Sequence, residues 1–113
     1  MTIIIVMAAR QSFTLVYARE VIAHLSAIER KHHSLIRSKI EEQLLHEPNV
    51  EAENRKMLLI PNAISATWEI RFGPNNQFRV FYEVDRDSRE VNILAIGIKR
   101  GNRLTIGQEE IEL

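Results

Sequence analysis

The chain has 113 residues, 45% of them hydrophobic and 27% charged, with no cysteine and a formal net charge of zero. A chain this short fills one core, so a single domain over residues 1–113 is expected. Its composition lies far from the low-hydrophobicity, high-charge corner where chains stay disordered. The lack of cysteine removes disulfides, thiolate metal ligands and cysteine nucleophiles, which suits a reducing cytoplasm.

The first nine residues are apolar, but they lack the basic leading region and the length of a secretory signal. No later run approaches the roughly 20 apolar residues that span a bilayer, so a cytoplasmic protein without membrane association is expected. Patterned sequence begins only at Phe13. Residues 1–12 therefore read as an N-terminal extension, disordered or non-native, with Met7 a candidate start.

Phe13, Leu15 and Tyr17 alternate with Thr14 and Val16 and predict a short first strand. From Ala18 the period changes, and Val21, Ile22, Leu25 and Ile28 form one helical stripe. A second stripe runs through Leu35, Ile36, Ile40, Leu44 and Leu45 and must end before Pro48. The polar joint Glu29–His33 between the two stripes predicts an antiparallel helix pair. Residues 49–61 lack clear periodicity and read as a loop carrying the basic pair Arg55 and Lys56.

Trp68, Ile70 and Phe72 alternate with polar partners, Gly73-Pro74-Asn75-Asn76 supplies turn chemistry, and Phe78, Val80, Tyr82 and Val84 resume the pattern. This predicts a hairpin. After the turn at Asp85–Ser88, the apolar run Val91–Ile98 reads as a central strand covered on both faces. The sum is an α+β fold, β-α-α-β-β-β, with a two-helix hairpin packed on one face of a mainly antiparallel sheet.

The hairpin's even positions carry the apolar set, so its odd positions share the other face. Arg71 and Arg79 are both odd. With a five-residue turn they lie directly opposite, a like-charge pair that invites an anion; with a three-residue turn Glu69 faces Arg79 as an ordinary ion pair. Both registers leave two guanidiniums on one face, a geometry suited to phosphate oxygens. Lys99, Arg100 and Arg103 follow the last strand, where they can join that surface or simply be solvated. The histidines, His24, His32, His33 and His46, have no carboxylate or cysteine cluster beside them and read as surface residues, so no metal site is expected. Trp68 and Tyr82 belong to the core. Zero net charge argues against a nucleic-acid enzyme, but basic side chains outnumber acidic ones between Asn54 and Thr105, while Glu109, Glu110 and Glu112 crowd the tail.

Several ordered blocks carry a resemblance: Asn54-Arg55-Lys56, Trp68-Glu69-Ile70-Arg71, Arg79-Val80-Phe81-Tyr82-Glu83-Val84, and Ala95-Ile96-Gly97-Ile98-Lys99-Arg100-Gly101-Asn102-Arg103-Leu104, ending Ile106-Gly107-Gln108-Glu109-Glu110. From Phe13 onward the chain resembles the RelE-type toxins of the RelE/ParE superfamily. The resemblance implies a RelE-like fold, hetero-oligomers with a cognate antitoxin, and, in the ribosome-dependent branch, cleavage of messenger RNA without metal or cofactor. Carried over residue by residue, it makes Arg71, Arg79 and Lys99 the catalytic set, with Arg79 holding the scissile phosphate. Arg55, Lys56, Arg100 and Arg103 would grip messenger or ribosomal phosphates. Two departures stand out. Glu69 occupies a position commonly basic in ribosome-dependent nucleases, and Thr105 replaces a tyrosine near the C-terminus. Both leave room for a ParE-like, gyrase-inhibiting binding toxin, or for a weak homologue acting mainly in a repressor complex with its antitoxin.

Overall fold

The structure, a computed structural model, describes residues 12–59 and 64–111. The expected extension over residues 1–12 thus falls, Ser12 apart, outside the described residues. The elements are β1 (Thr14–Tyr17), α1 (Glu20–Ser26), α2 (His33–Leu44), β2 (Arg55–Met57), β3 (Trp68–Phe72), β4 (Phe78–Asp85), β5 (Glu90–Arg100), β6 (Arg103–Ile106) and β7 (Glu109–Ile111), with short 3-10 turns at Arg30–His32 and Pro74–Asn76. The α+β class, the helices and the mainly antiparallel sheet match the sequence reading. Three strands go beyond it. β2 lies inside the segment expected to be a loop, and β6 and β7 follow the strand expected to be last. They are three or four residues long, too short for two-residue alternation to stand out from chance.

The sheet runs β2-β3-β4-β5-β6-β7, and β1 attaches to β5. Eleven-residue β5 organises it. One side pairs with β4 from Glu90 to Ile98, while the other is shared, its first half pairing parallel with β1 and its second half antiparallel with β6. Opposite Phe81 and Tyr82, Leu94 is an extra residue, because Tyr82 pairs with Ile93 and Phe81 with Ala95. This bulge switches the strand's parity. Val91 and Ile93 face the helices before it, and Ile96 and Ile98 after it, which is why the sequence reads as an unbroken apolar run.

The main core lies between sheet and helices: Ile36, Ile40 and Leu44 of α2 and Val21 of α1 pack on Trp68, Ile70, Phe78, Val80, Tyr82 and the β5 set. Full burial of each such side chain contributes about 1.5–3 kcal/mol. Trp68 and Tyr82 stack with ring centroids 6.3 Å apart, and the Tyr82 hydroxyl donates to the buried Pro48 carbonyl at 2.6 Å. A second cluster, Ala66, Phe81, Ala95, Leu104 and Ile106, covers part of the opposite face, so β5 is indeed covered on both sides.

Three histidines depart from the surface role expected of them, and the half-buried His32 ring packs on Phe78 with centroids 5.0 Å apart. His33 Nε2 donates toward the Leu25 and Ile28 carbonyls at 2.8 and 2.9 Å, closing the joint between the helices. His24 Nδ1 accepts the Ile96 N–H at 3.3 Å, where the β1 pairing of β5 has ended and the β6 pairing has yet to begin. Such a bond needs the neutral ring. Burial pushes the His24 pKa down, against the opposing pull of Glu20 and Glu109. The unfolded chain therefore takes up the proton more readily, and stability is complete above about pH 6.5 and declines as the pH falls below it. In urea unfolding, wild type should lose more stability between about pH 7.5 and about pH 5.5 than His24→Gln, whose amide carbonyl can accept the same N–H at any pH. Equal losses would contradict this role.

Candidate phosphate-binding face

Strand register decides which side chains meet. Lys56 pairs with Glu69 and Glu69 with Phe81, while Arg71 pairs with Arg79, Arg79 with Gly97 and Gly97 with Ile106. Lys56, Glu69, Arg71 and Arg79 therefore share the face turned away from the helices, and Lys99, two residues past Gly97, returns to it. Phe72 pairs with Phe78, so the five-residue turn is the one adopted. Gly73 (φ 81°), Asn75 (φ 55°) and Asn76 (φ 52°) take left-handed conformations within it, which Gly and Asn tolerate best.

Two guanidiniums thus stand on directly opposed residues, and a resident carboxylate offsets their repulsion. Arg71 Nε donates to Glu69 Oε1 at 2.7 Å, and Arg79 Nη1 reaches Glu69 Oε2 at 3.5 Å. Glu69 is 3% exposed and Arg79 5%. Arg79 Nε also donates to the Asn76 carbonyl at 2.9 Å, so the turn and the carboxylate together fix the side chain. Burial pulls the Arg79 pKa down while Glu69 raises it, and a guanidinium so placed stays charged at neutral pH. The triad carries a net single positive charge.

Beside it lies a cleft of about 400 Å³ lined by Asn75, Gln77, Arg79, Lys99, Arg100 and Gly101. The Lys99 N–H donates to the Gln77 carbonyl at 2.7 Å, tying the β3–β4 turn to the end of β5. Gly97 permits the close approach of β6: a Cβ there would fall 2.8 Å from Ile106 Cγ1 and 2.9 Å from the Thr105 carbonyl oxygen.

The residues singled out in the sequence distribute unevenly. Arg79, Lys99 and Arg100 meet at the cleft, and Arg71 is joined to it through Glu69 without lining it. Lys56 is exposed on the same face. Arg103 is exposed, pairs across the hairpin with Arg100, and forms an ion pair with Glu110 at 3.7 Å, outside the cleft. Thr105 pairs with Ile98 and so points to the opposite face from Arg79.

Arg55 corrects the expectation that it grips phosphates. It is 7% exposed, its Nε donates to the Val50 carbonyl at 2.6 Å, and its Nη1 donates to the Gln43 carbonyl at 2.7 Å. It closes the C-terminal end of α2, whose last carbonyls have no helical partner. Cleft residues Asn75, Gln77 and Gly101 went unnoticed in the sequence because they read as turn punctuation. The bridging role of Glu69 was within reach, since it shares parity with Arg71 and sits one diagonal from Arg79.

No known protein-family profile matches the chain, and neither does any curated protein. A solved structure does, the toxin–antitoxin complex RelBE2 from Mycobacterium tuberculosis. The match has 16% identity and a TM-score of 0.59, covering 78% of this chain and 99% of that one. The chain has the RelE-like fold. At that identity the shared property is architecture, and within the RelE-like frame the two faces of this sheet differ: the main core lies toward the helices, while the other face carries the smaller apolar cluster and the charged cleft.

Two measurements check these assignments. Arg55→Ala should cost about 2–3 kcal/mol in chemical denaturation, because the partly buried Gln43 and Val50 carbonyls lose a charged donor, while Lys56→Ala stays within about 0.5 kcal/mol. Glu69→Ala should cost about 3–5 kcal/mol, because it leaves the buried Arg79 with neither counter-charge nor acceptor, and Glu69→Gln less, because the amide oxygen still accepts from one guanidinium. Similar, small losses for both Glu69 variants would show that the carboxylate does not hold the pair.

Proposed function

We propose that this chain is the toxin of a toxin–antitoxin pair, acting in the cytoplasm by cleaving messenger RNA on the ribosome. The observation that carries the reading is the Arg79 guanidinium, anchored by Glu69 and Asn76 at the wall of a cleft that Lys99 and Arg100 also line. The RelBE2 likeness supports a cognate antitoxin as partner in a hetero-oligomer.

In this reading an RNA 2′-hydroxyl attacks the adjacent phosphorus, the bond to the 5′-oxygen breaks, and negative charge grows on the non-bridging oxygens between. Arg79 meets that charge with a donor already held in place, so little reorganisation opposes the step. Lys99 adds a second charge from the neighbouring strand. Arg71 supports Arg79 through their shared carboxylate, Arg100 and Lys56 hold flanking phosphates, and Arg103 at the hairpin is left to ribosomal contacts. Charge stabilisation of this kind needs no metal or cofactor. Among the described residues the face offers few acid–base groups, since Glu69 is engaged by both guanidiniums and Thr105 faces away. That shortage fits a reaction in which the ribosome orients the message.

One observation favours a second reading, a weak homologue that acts mainly in a repressor complex. Glu69 already sits where two opposed guanidiniums would otherwise draw a phosphate, and an incoming RNA must tolerate its charge. Nothing comparable singles out gyrase inhibition, which a supercoiling assay would detect.

With purified ribosomes and a translated message, the wild-type chain should generate defined cuts. Lys99→Ala and Arg79→Lys should each slow cleavage by about 10²–10³-fold, the usual loss when one charge-stabilising donor is removed, and Arg79→Lys fails because an ammonium cannot reproduce the guanidinium's geometry. Uncut message together with harmless expression would favour the second reading.

A further inference from the structure

Two main-chain carbonyls organise the cleft. The Asn76 carbonyl accepts from Arg79 Nε at 2.9 Å, and the Gln77 carbonyl accepts the Lys99 N–H at 2.7 Å. Asn76 and Gln77 immediately precede Phe78. Peptide units are planar and consecutive Cα atoms lie about 3.8 Å apart, so the seat of Phe78 governs where both acceptors point.

Phe78 is fully buried on the helix side of the sheet and pairs with Phe72 and Ile98 on the neighbouring strands. It also carries the turn. A Cβ on Gly73 would fall 2.5 Å from Phe78 Cδ2, so the backbone of the turn rests directly on the ring. From the helices the ring is met by His32, with centroids 5.0 Å apart and an interplanar angle of 56°. His32 has a firm base: its N–H donates to the Glu29 carbonyl at 3.0 Å, and the next residue, His33, closes the joint between the helices.

Close-packed interiors leave little slack, and when one side chain is removed its neighbours relax only in part into the space. Here the relaxation runs from Phe78 into the turn, where Asn75 and Asn76 already hold left-handed conformations, and from the turn to the two carbonyls. We propose that His32 is a positioning residue for Arg79: its ring, fixed by the helix joint, bears on Phe78 and so keeps the Asn76 and Gln77 carbonyls where Arg79 and the end of β5 need them. A side chain on the helix side thus sets the order of a guanidinium on the other face. In its consequence for rate the inference rests on the nuclease reading; in its geometry it does not.

The test uses the full-length, isotopically labelled chain and reads solvent exchange of the Arg79 side-chain Nε–H by NMR. Exchange should speed up by about ten-fold or more in His32→Ala and return to within about two-fold of wild type in His32→Phe, which restores a flat ring over Phe78. Val21→Ala opens the same core on α1, away from this contact, and should leave the signal within about two-fold of wild type. If His32→Ala does not fold, Phe78→Leu, which removes the other ring of the pair, takes its place with the same expectation. With ribosomes and a translated message, His32→Ala should lower kcat by about ten-fold and change KM by less than about two-fold, because the donor loses order while the phosphate contacts remain. Unaltered exchange in His32→Ala, or equal acceleration in His32→Phe or Val21→Ala, would overturn the proposal, as would accelerated exchange with unaltered kcat. Accelerated exchange, rescued by His32→Phe, in a chain whose wild type leaves the message uncut would uphold the positioning role and count against the nuclease reading alone.

Discussion

Two positive charges face each other across adjacent strands, and the surface on that side of the sheet depends on how their repulsion is met. Arg71 and Arg79 are directly paired, and Glu69, almost wholly removed from solvent, takes a guanidinium on each oxygen. A buried carboxylate with no counter-charge would be costly, as would a buried guanidinium. Each therefore requires the other, and the three together fix both register and orientation. Because Arg79 is held by protein groups from behind, it is in place before any ligand arrives. That is the property a charge-stabilising group needs if the reaction is not to spend energy reorganising it.

The rest of the fold keeps this face separate from the one that supplies stability. The helices, Trp68, Phe72, Phe78 and Tyr82 occupy the other side, so substitutions at the cleft and in the main core act on different surfaces. β5 links the two. Its bulge at Leu94 reverses parity halfway along, which lets Val91 and Ile93 and then Ile96 and Ile98 serve the core while Gly97 and Lys99 serve the cleft. Gly97 matters here because β6 approaches too closely for any side chain. The 3-10 turn after Gly73 completes the arrangement by offering the Asn76 carbonyl to Arg79.

Much of this was legible in the residues. Alternation in Trp68–Phe72 and Phe78–Val84 located the central hairpin and put both arginines on one face, and the period change after Tyr17 located the helices. Three kinds of feature were not legible. Strands of three or four residues such as β2, β6 and β7 carry too little pattern to be separated from loop. The burial of Arg55 depends on carbonyls at Gln43 and Val50 that only the folded chain brings beside it. The parity switch in β5 looks, in sequence, like a strand that is apolar everywhere. Glu69 falls between these cases: the parity it shares with Arg71 and Arg79 was visible, but its meaning depended on a hairpin register that the sequence left open.

The central claim is that the Glu69-braced cleft on the helix-free face is where RNA phosphate binds. The most direct measurement is an NMR titration with a short single-stranded RNA whose 2′-hydroxyls are blocked, following the side-chain Nε–H signals of the arginines and the backbone amides. The account predicts saturable shifts concentrated at Arg79, Lys99, Arg100 and Gln77, weakening steeply with added salt and absent when a blocked-RNA titration is repeated on Lys99→Ala/Arg100→Ala. Shifts centred on α1 and α2, or binding that survives that double substitution unchanged, would contradict it.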